Sequence, residues 1–291
     1  MKTNIKYLAI LIFAVIAACK KDSMPTASEP HTDAYARLDN PANDVDHQIF
    51  LLYQQSNIPL LYSDTLRKTP LNVVNLNYTL SGANTNYVYT YPKNKADILN
   101  GIAFVKNQIL PPLNKVKMYS ITLLDTLKTV TVYSPTYSVT AYFTVLPGLT
   151  TFGIANIPKI QNMTATQLSA YKADIFTNVV LNPLNASDLL KSFNAVSANF
   201  YNKYAYGTEL TISYVPLADK RTYGLIPDGT ESPSGYSIGN QTADLKLFLT
   251  KTFTLSTADF QAQYGAYPLI MSKYNILKAA ITTLGFDLTK I

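Results

Sequence analysis

The sequence predicts an α+β fold, with a β-rich first half carrying interspersed helices and a mainly helical second half. Three observations predict it. Runs of β-branched and aromatic residues bounded by turn residues crowd positions 58–157. From Thr164 onward, apolar residues recur at helical spacing instead. The chain is 47% apolar and 14% charged, a balance that supports a packed core.

Asp44 to Ser56 reads as the first helix, with Val45, Ile49, Leu52 and Tyr53 on one face and Asn57 to close it. Ile58 to Tyr62 reads as a strand. Val73–Leu80 and Tyr87–Tyr91 read as two more, separated by a hairpin-like loop from Ser81 to Asn86. Asn94 is placed to cap a helix from Lys95 to about Leu110, buried through Ile98, Ile102, Val105 and Ile109, with Pro111-Pro112 as its stop. Further strands are expected at Val116–Leu124, Val130–Tyr133, Tyr137–Val145 and Thr151–Ile157.

The second half opens with a helix from Thr164 to Asn182, apolar at Leu168, Tyr171, Ile175, Val179 and Val180 and ended by Pro183. A helix over Asn185–Asn202 follows, then a loop region rich in Gly and Pro from Tyr206 to Gly239. Helices over Ala243–Phe253, Thr257–Tyr264 and Leu269–Leu284 complete the chain, the last closed by Gly285 at its C′ position.

Residues 1–18 have the pattern of a secretory leader. Lys2 and Lys6 supply the charged start, and Tyr7–Ala18 is an uncharged run shorter than the roughly 20 residues a membrane-spanning helix needs. The run ends Ile16-Ala17-Ala18-Cys19, which resembles a bacterial lipobox, with the only cysteine of the chain at the acylated position. Acyl chains on Cys19 would anchor the protein, since each buried methylene contributes roughly 0.8 kcal/mol. Residues 19–43, rich in Pro, Ser, Thr and charge, read as a flexible tether, and 44–291 as one folded domain. The expected location is the cell envelope, lipid-anchored in the outer membrane. A lone acylated cysteine leaves none for a disulfide.

The formal net charge is +6, and +4 once Lys2 and Lys6 leave with the leader. The remaining lysines are scattered, so no basic stripe points to nucleic acid. The two histidines are His31, in the tether, and His47, in the first helical turn beside Asp44 and Asp46. No Gly-x-Ser-x-Gly elbow and no Gly-rich phosphate loop occurs. The acids Glu209, Asp219, Asp228, Glu231, Asp244 and Asp259 could supply a carboxylate pair for sugar-bond hydrolysis, though no spacing sets any two apart. The 22 tyrosines could stack on sugars, but Tyr87, Tyr89 and Tyr91 alternate as a half-buried strand does.

Several segments together resemble the substrate import-associated zinc metallohydrolase lipoproteins of Bacteroidetes. These are zincin-like peptidases with a His-Glu-x-x-His motif, often encoded beside SusC/SusD-like nutrient importers. The segments are the lipobox and tether, the stretch Gln54-Gln55-Ser56-Asn57-Ile58-Pro59-Leu60-Leu61-Tyr62, and the end of the chain. That end has Tyr267-Pro268-Leu269-Ile270, Lys273, Ile276-Leu277 and Leu284-Gly285-Phe286-Asp287-Leu288. The resemblance implies a zincin-like fold with its active-site helix at Thr164–Asn182. The motif itself is absent. Its best register sets Asp174 and Asn178 at the metal-ligand positions and Ile175 at the catalytic glutamate. Asp174 and Asn178 could hold a hard cation weakly, but two oxygen ligands are far fewer than the six to eight calcium takes. Asp244-Leu245-Lys246-Leu247 departs in the same way from the acidic downstream motif.

The expectation is therefore a non-catalytic, zincin-like pseudo-peptidase without metal or cofactor, an accessory or binding component beside an importer. The alternatives are a glycan-binding surface lipoprotein and a hydrolase working through carboxylates without zinc.

Overall fold

The structure, a computed structural model, describes residues 33–68, 71–76, 87–113, 115–134 and 136–291. The expected leader, Cys19, His31 and the expected loop Ser81–Asn86 lie outside the described residues. The chain divides into two compact units, 1–36 and 37–291. Of the first, residues 33–36 form a turn closed by the Ala36 N–H on the Asp33 carbonyl at 3.1 Å. Among the described residues no helix is long and apolar enough to cross a membrane.

The second unit is mixed α+β, as the sequence predicts. Helix α1 (Asp44–Ser56) starts where the Asn43 side chain accepts from the backbone of Val45 and Asp46. It ends at Asn57, whose left-handed φ of 55° suits asparagine. Strand β1 (Leu60–Leu61) follows, then a small hairpin of β2 (Thr65–Lys68) and β3 (Leu71–Val73), and β4 (Tyr87–Thr90). Helix α2 (Lys95–Phe104) passes through a π-helical turn, Val105–Ile109, into α3 (Leu110–Leu113). Pro111 and Pro112 thus do not stop the helix at Leu110. The π turn resets the hydrogen-bond ladder, placing both prolines in the first turn of α3, where an amide needs no helical partner.

The central sheet has the order β1-β5-β9-β8, built from β5 (Ile121–Leu123), β8 (Val145–Pro147) and β9 (Phe152–Ile154) beside β1. Its first three strands run parallel and β8 is the antiparallel edge. Every residue of β5 and β9 is buried, the continuous apolar pattern of strands covered on both faces. A separate antiparallel sheet, β4-β6-β7, pairs β6 (Thr126–Ser134) and β7 (Tyr137–Tyr142) with β4, and β7 is exposed along its whole length.

Helix α4 (Ala165–Asn185) opens with a capping box. The Thr164 hydroxyl accepts from the Gln167 amide, and the Gln167 side chain accepts from the Thr164 amide. It runs past Pro183 to Asn185. Proline here removes one donor from the last turn, while the Ala186 N–H still returns to the Asn182 carbonyl at 3.0 Å. The helix expected over Asn185–Asn202 is shorter, a 3-10 turn at Asp188–Leu190 and α5 (Lys191–Val196), because turns follow from Ser197. The expected loop Tyr206–Gly239 contributes to a three-stranded sheet in the order β11-β10-β12: β10 (Tyr204–Ala205), β11 (Tyr214–Val215) and β12 (Tyr236–Ser237).

Helices α6 (Gln241–Thr254), α7 (Thr257–Tyr264) and α8 (Pro268–Thr283) close the chain. Gly285 ends α8 at φ 93°, with the Gly285 N–H on Thr282 and the Phe286 N–H on Ile281, a Schellman cap. One core cluster joins the sheet to these helices. At its centre the Phe176 ring of α4 lies 5.7 Å from Phe253 and 5.2 Å from Phe286, each such buried side chain contributing about 1.5–3 kcal/mol.

Candidate functional site

The register drawn from the sequence places Asp174 and Asn178 one turn apart on α4, and the fold keeps them together. The Asn178 amide donates to the Asp174 side chain at 3.0 Å and to its carbonyl at 2.9 Å. Asn178 thus turns a donor, not a ligand oxygen, toward its neighbour. The two line separate depressions. Asp174 faces one with Thr144, Lys159 and Gln167, whereas Asn178 borders another beside Tyr119 and Pro147. Ile175 points elsewhere, fully buried in the main core. Position 175 therefore cannot present a carboxylate to a water near residues 174 and 178. Among the described residues, no three of His, Cys, Asp and Glu gather in a way that could hold a metal ion. His47 stays at the surface, its Nδ1 2.7 Å from Asp39.

The acids considered for catalysis are scattered and engaged. Asp219 pairs with Arg221 at 2.6 Å, and this partner holds its carboxyl below the usual range. Asp259 is engaged in the first turn of α7, its carboxylate accepting from the hydroxyl of the capping Ser256 at 2.6 Å. Glu209 is exposed. The Asp228 and Glu231 carboxylates share one cation: the buried Lys220 ammonium lies 2.8 Å from one and 3.0 Å from the other, and the Asp228 N–H donates to Glu231 Oε1 at 3.1 Å. Partial burial raises both carboxyls, and the bonds from Lys220 together with nearby N–H and O–H donors outweigh it. The Asp228 carboxyl is lowered to about 2 and that of Glu231 also lies below its ordinary value. A general acid needs the opposite shift.

Among these acids, the one that burial leaves above its ordinary value is Asp244. It sits on α6 with 5% of its surface exposed, in a network that sequence reasoning missed. The fully buried Lys273 of α8 donates to Asp244 Oδ2, and Tyr201 donates to the same oxygen at 2.6 Å. The Lys273 ammonium also contacts Ser197 Oγ at 3.1 Å and lies 4.4 Å from the Phe193 ring centroid. Burial lowers Lys273, with Asp244 opposing that shift. Ser197 and Lys273 resemble a nucleophile and its base only on paper. The Ser197 hydroxyl donates to the Tyr223 carbonyl at 2.8 Å, and both Ser197 and Lys273 are sealed from solvent. The network ties α6 and α8 to the turn that leads into the small sheet. Its one signal in the sequence was a lysine at a core-facing position of α8.

The tyrosines divide. Tyr171, Tyr201, Tyr223, Tyr236, Tyr264 and Tyr274 are buried. Tyr204 and Tyr214 are paired neighbours on the outer face of the small sheet, and Tyr206 stands 6.4 Å from Tyr214. These three are 42%, 46% and 60% exposed, while Ala205 and Val215 fill the inner face. Gly235 permits this arrangement, since a Cβ there would meet the Tyr204 ring at 2.7 Å. Tyr133 and Tyr137 form a second exposed pair on the β6–β7 hairpin, 5.5 Å apart. Comparison with protein-family models, with curated proteins and with solved structures finds no match to this chain.

Proposed function

We propose that this chain is a lipid-anchored envelope protein that binds rather than cleaves, built on a zincin-like scaffold whose metal site has been lost. The observation that carries the reading is the state of α4. The helix packs against the edge strand β8 of the central sheet and against α6. At the ligand positions it offers an Asp–Asn pair that satisfies itself, and at the catalytic position a core isoleucine. A zinc peptidase needs imidazole ligands and a glutamate aimed at the metal-bound water, and these side chains supply neither. The sequence ending in Cys19 supports acyl anchoring, and the resemblance supports a place beside a SusC/SusD-like importer.

The test uses the full chain, loaded with zinc, dialysed and assayed for bound metal and for cleavage of denatured protein substrates. The expected result is no stoichiometric zinc and no cleavage. One equivalent of zinc with chelator-sensitive cleavage overturns the reading. Labelled palmitate should enter the wild-type chain and not Cys19→Ser.

A second reading, a glycan-binding surface lipoprotein, is favoured by one specific feature: Tyr204, Tyr206 and Tyr214 exposed on one face over a buried layer. Aromatic faces of this kind stack on the apolar faces of sugars. Binding of neutral glycans that is lost in Tyr204→Ala and Tyr214→Ala supports it.

A further inference from the structure

The last turns of the chain border a cleft of about 870 Å³, within the size range of small-ligand sites. Three lysines from three separate segments line it: Lys115 after α3, Lys172 on α4 and Lys278 on α8. The side-chain carboxylate on its lining is Asp287, which already accepts from the Thr289 amide and hydroxyl and lies 3.6 Å from Lys290. Among the described residues none of the three lysines has an ion-pair partner. The Lys278 ammonium donates to Thr257 Oγ1 at 3.2 Å. Helix-end electrostatics accounts for Lys115, which lies against Gly285 at the end of α8, but not for Lys172 and Lys278, which sit inside their helices. Ammonium groups that line one cleft from separate segments make its potential positive, which favours an anion there.

A second, independent feature belongs to the same cleft. Thr252 lines it, is 6% exposed, and its hydroxyl has no partner among the described residues. Buried hydroxyls are ordinarily satisfied, but this oxygen is closed off from solvent, so a molecule in the cleft meets it only if the wall over it shifts. Ser169 and Thr282 add hydroxyls, and Phe253, Tyr274 and Phe286 add apolar surface.

We propose that this cleft binds a small, hydroxyl-rich anion of the acidic-sugar class, whose charge is a carboxylate or a phosphate. The lysines neutralise the charge, the Ser and Thr hydroxyls meet the ligand hydroxyls, and the aromatic walls take its apolar face. The site uses neither Asp174 nor Asn178 nor the exposed tyrosines, so it stands independently of the lost-metal reading.

The experiment is calorimetric titration of the full chain with galacturonate, glucose 6-phosphate, glucose and inorganic phosphate at fixed ionic strength. At least one of the two acidic sugars should bind, and which of them does identifies the charged group. Glucose should not compete, and added salt should weaken the binding. Lys172→Gln with Lys278→Gln should lower affinity tenfold or more at an unchanged melting temperature. Should that pair unfold the protein, Lys172→Gln alone decides, since Lys172 is half-exposed. The proposal is overturned if neither acidic sugar binds, if glucose or bare phosphate binds equally well, or if the lysine variants keep full affinity.

Discussion

Lys273 and Asp244 meet in the protein interior, one from α8 and one from α6, with Tyr201 on the same carboxylate oxygen. Both charges are almost wholly removed from water, and Asp244 Oδ1 has no partner among the described residues. Burial raises the acid and lowers the amine, so it opposes the attraction that joins them. Pairs of this kind cost much to break and little to replace. Lys273→Met should therefore destabilise the protein by about 3–5 kcal/mol in urea unfolding. In that variant Asp244, left alone, has a folded pKa raised above its unfolded value. The protonated form then supports the fold at low pH, and that support is lost as pH rises through the folded pKa. The deficit should be smaller at pH 4 than at pH 8, and a deficit independent of pH would mean that Asp244 does not carry it.

The Lys220 cluster should give the opposite pH response. Asp228 has its folded carboxyl at about 2, against an ordinary value of 3.8. A depressed acid contributes stability that is present above the unfolded pKa and lost as pH falls through the folded one. The window is therefore about pH 4 down to pH 2, with Glu231 adding in the same direction. That lowering corresponds to roughly 2–3 kcal/mol, which partial exposure reduces to about 1 kcal/mol. Asp228→Asn should flatten the acid limb of the stability curve by that amount. An unchanged limb would show that the ion pair adds nothing.

Much of the fold is legible in the sequence because its signals are local. Asn57, Asn94, Thr164 and Gly285 each mark a helix end through their own side-chain or backbone chemistry, and each stands at one. The sequence is misleading where a distant or subtle shift decides. Pro111-Pro112 follow a π turn and Pro183 falls in a last turn, so none of them breaks its helix as an interior proline would. The short strands β10, β11 and β12 carry only two residues each, too few to show alternation. At the candidate site, Asp174 and Asn178 are legible as an i, i+4 pair, because helix periodicity alone brings them together. The Lys273 network is not legible, since its members at 197, 201, 244 and 273 are joined only by tertiary packing.

Gly285 should tolerate no side chain. Its φ of 93° is strained for any L-residue, and a Cβ would meet the Lys115 Cβ at 2.6 Å. Gly285→Ala should cost about 1–3 kcal/mol from the backbone alone, more with the clash. Thermal unfolding measures it. Because Lys115 lines the acidic-sugar cleft, the same variant should also shift Lys115 and lower affinity there.

Gly101 sets helix propensity against packing. It lies within α2, where alanine would ordinarily be favoured by about 1 kcal/mol. Yet a Cβ at 101 would stand 2.8 Å from Ile157 Cγ2 and 2.9 Å from Leu123 Cδ1, so the glycine is what lets α2 lie close against β5. Ile157 and Leu123 are both fully buried and have no free space to retreat into. Overpacking of this kind typically costs about 1–3 kcal/mol, which exceeds the propensity gain. Gly101→Ala should therefore destabilise the protein by up to about 2 kcal/mol. Adding Ile157→Val, which removes a methyl from the crowded contact, should restore part of the loss, and a Gly101→Ala variant more stable than wild type would show that α2 and β5 are not in close contact.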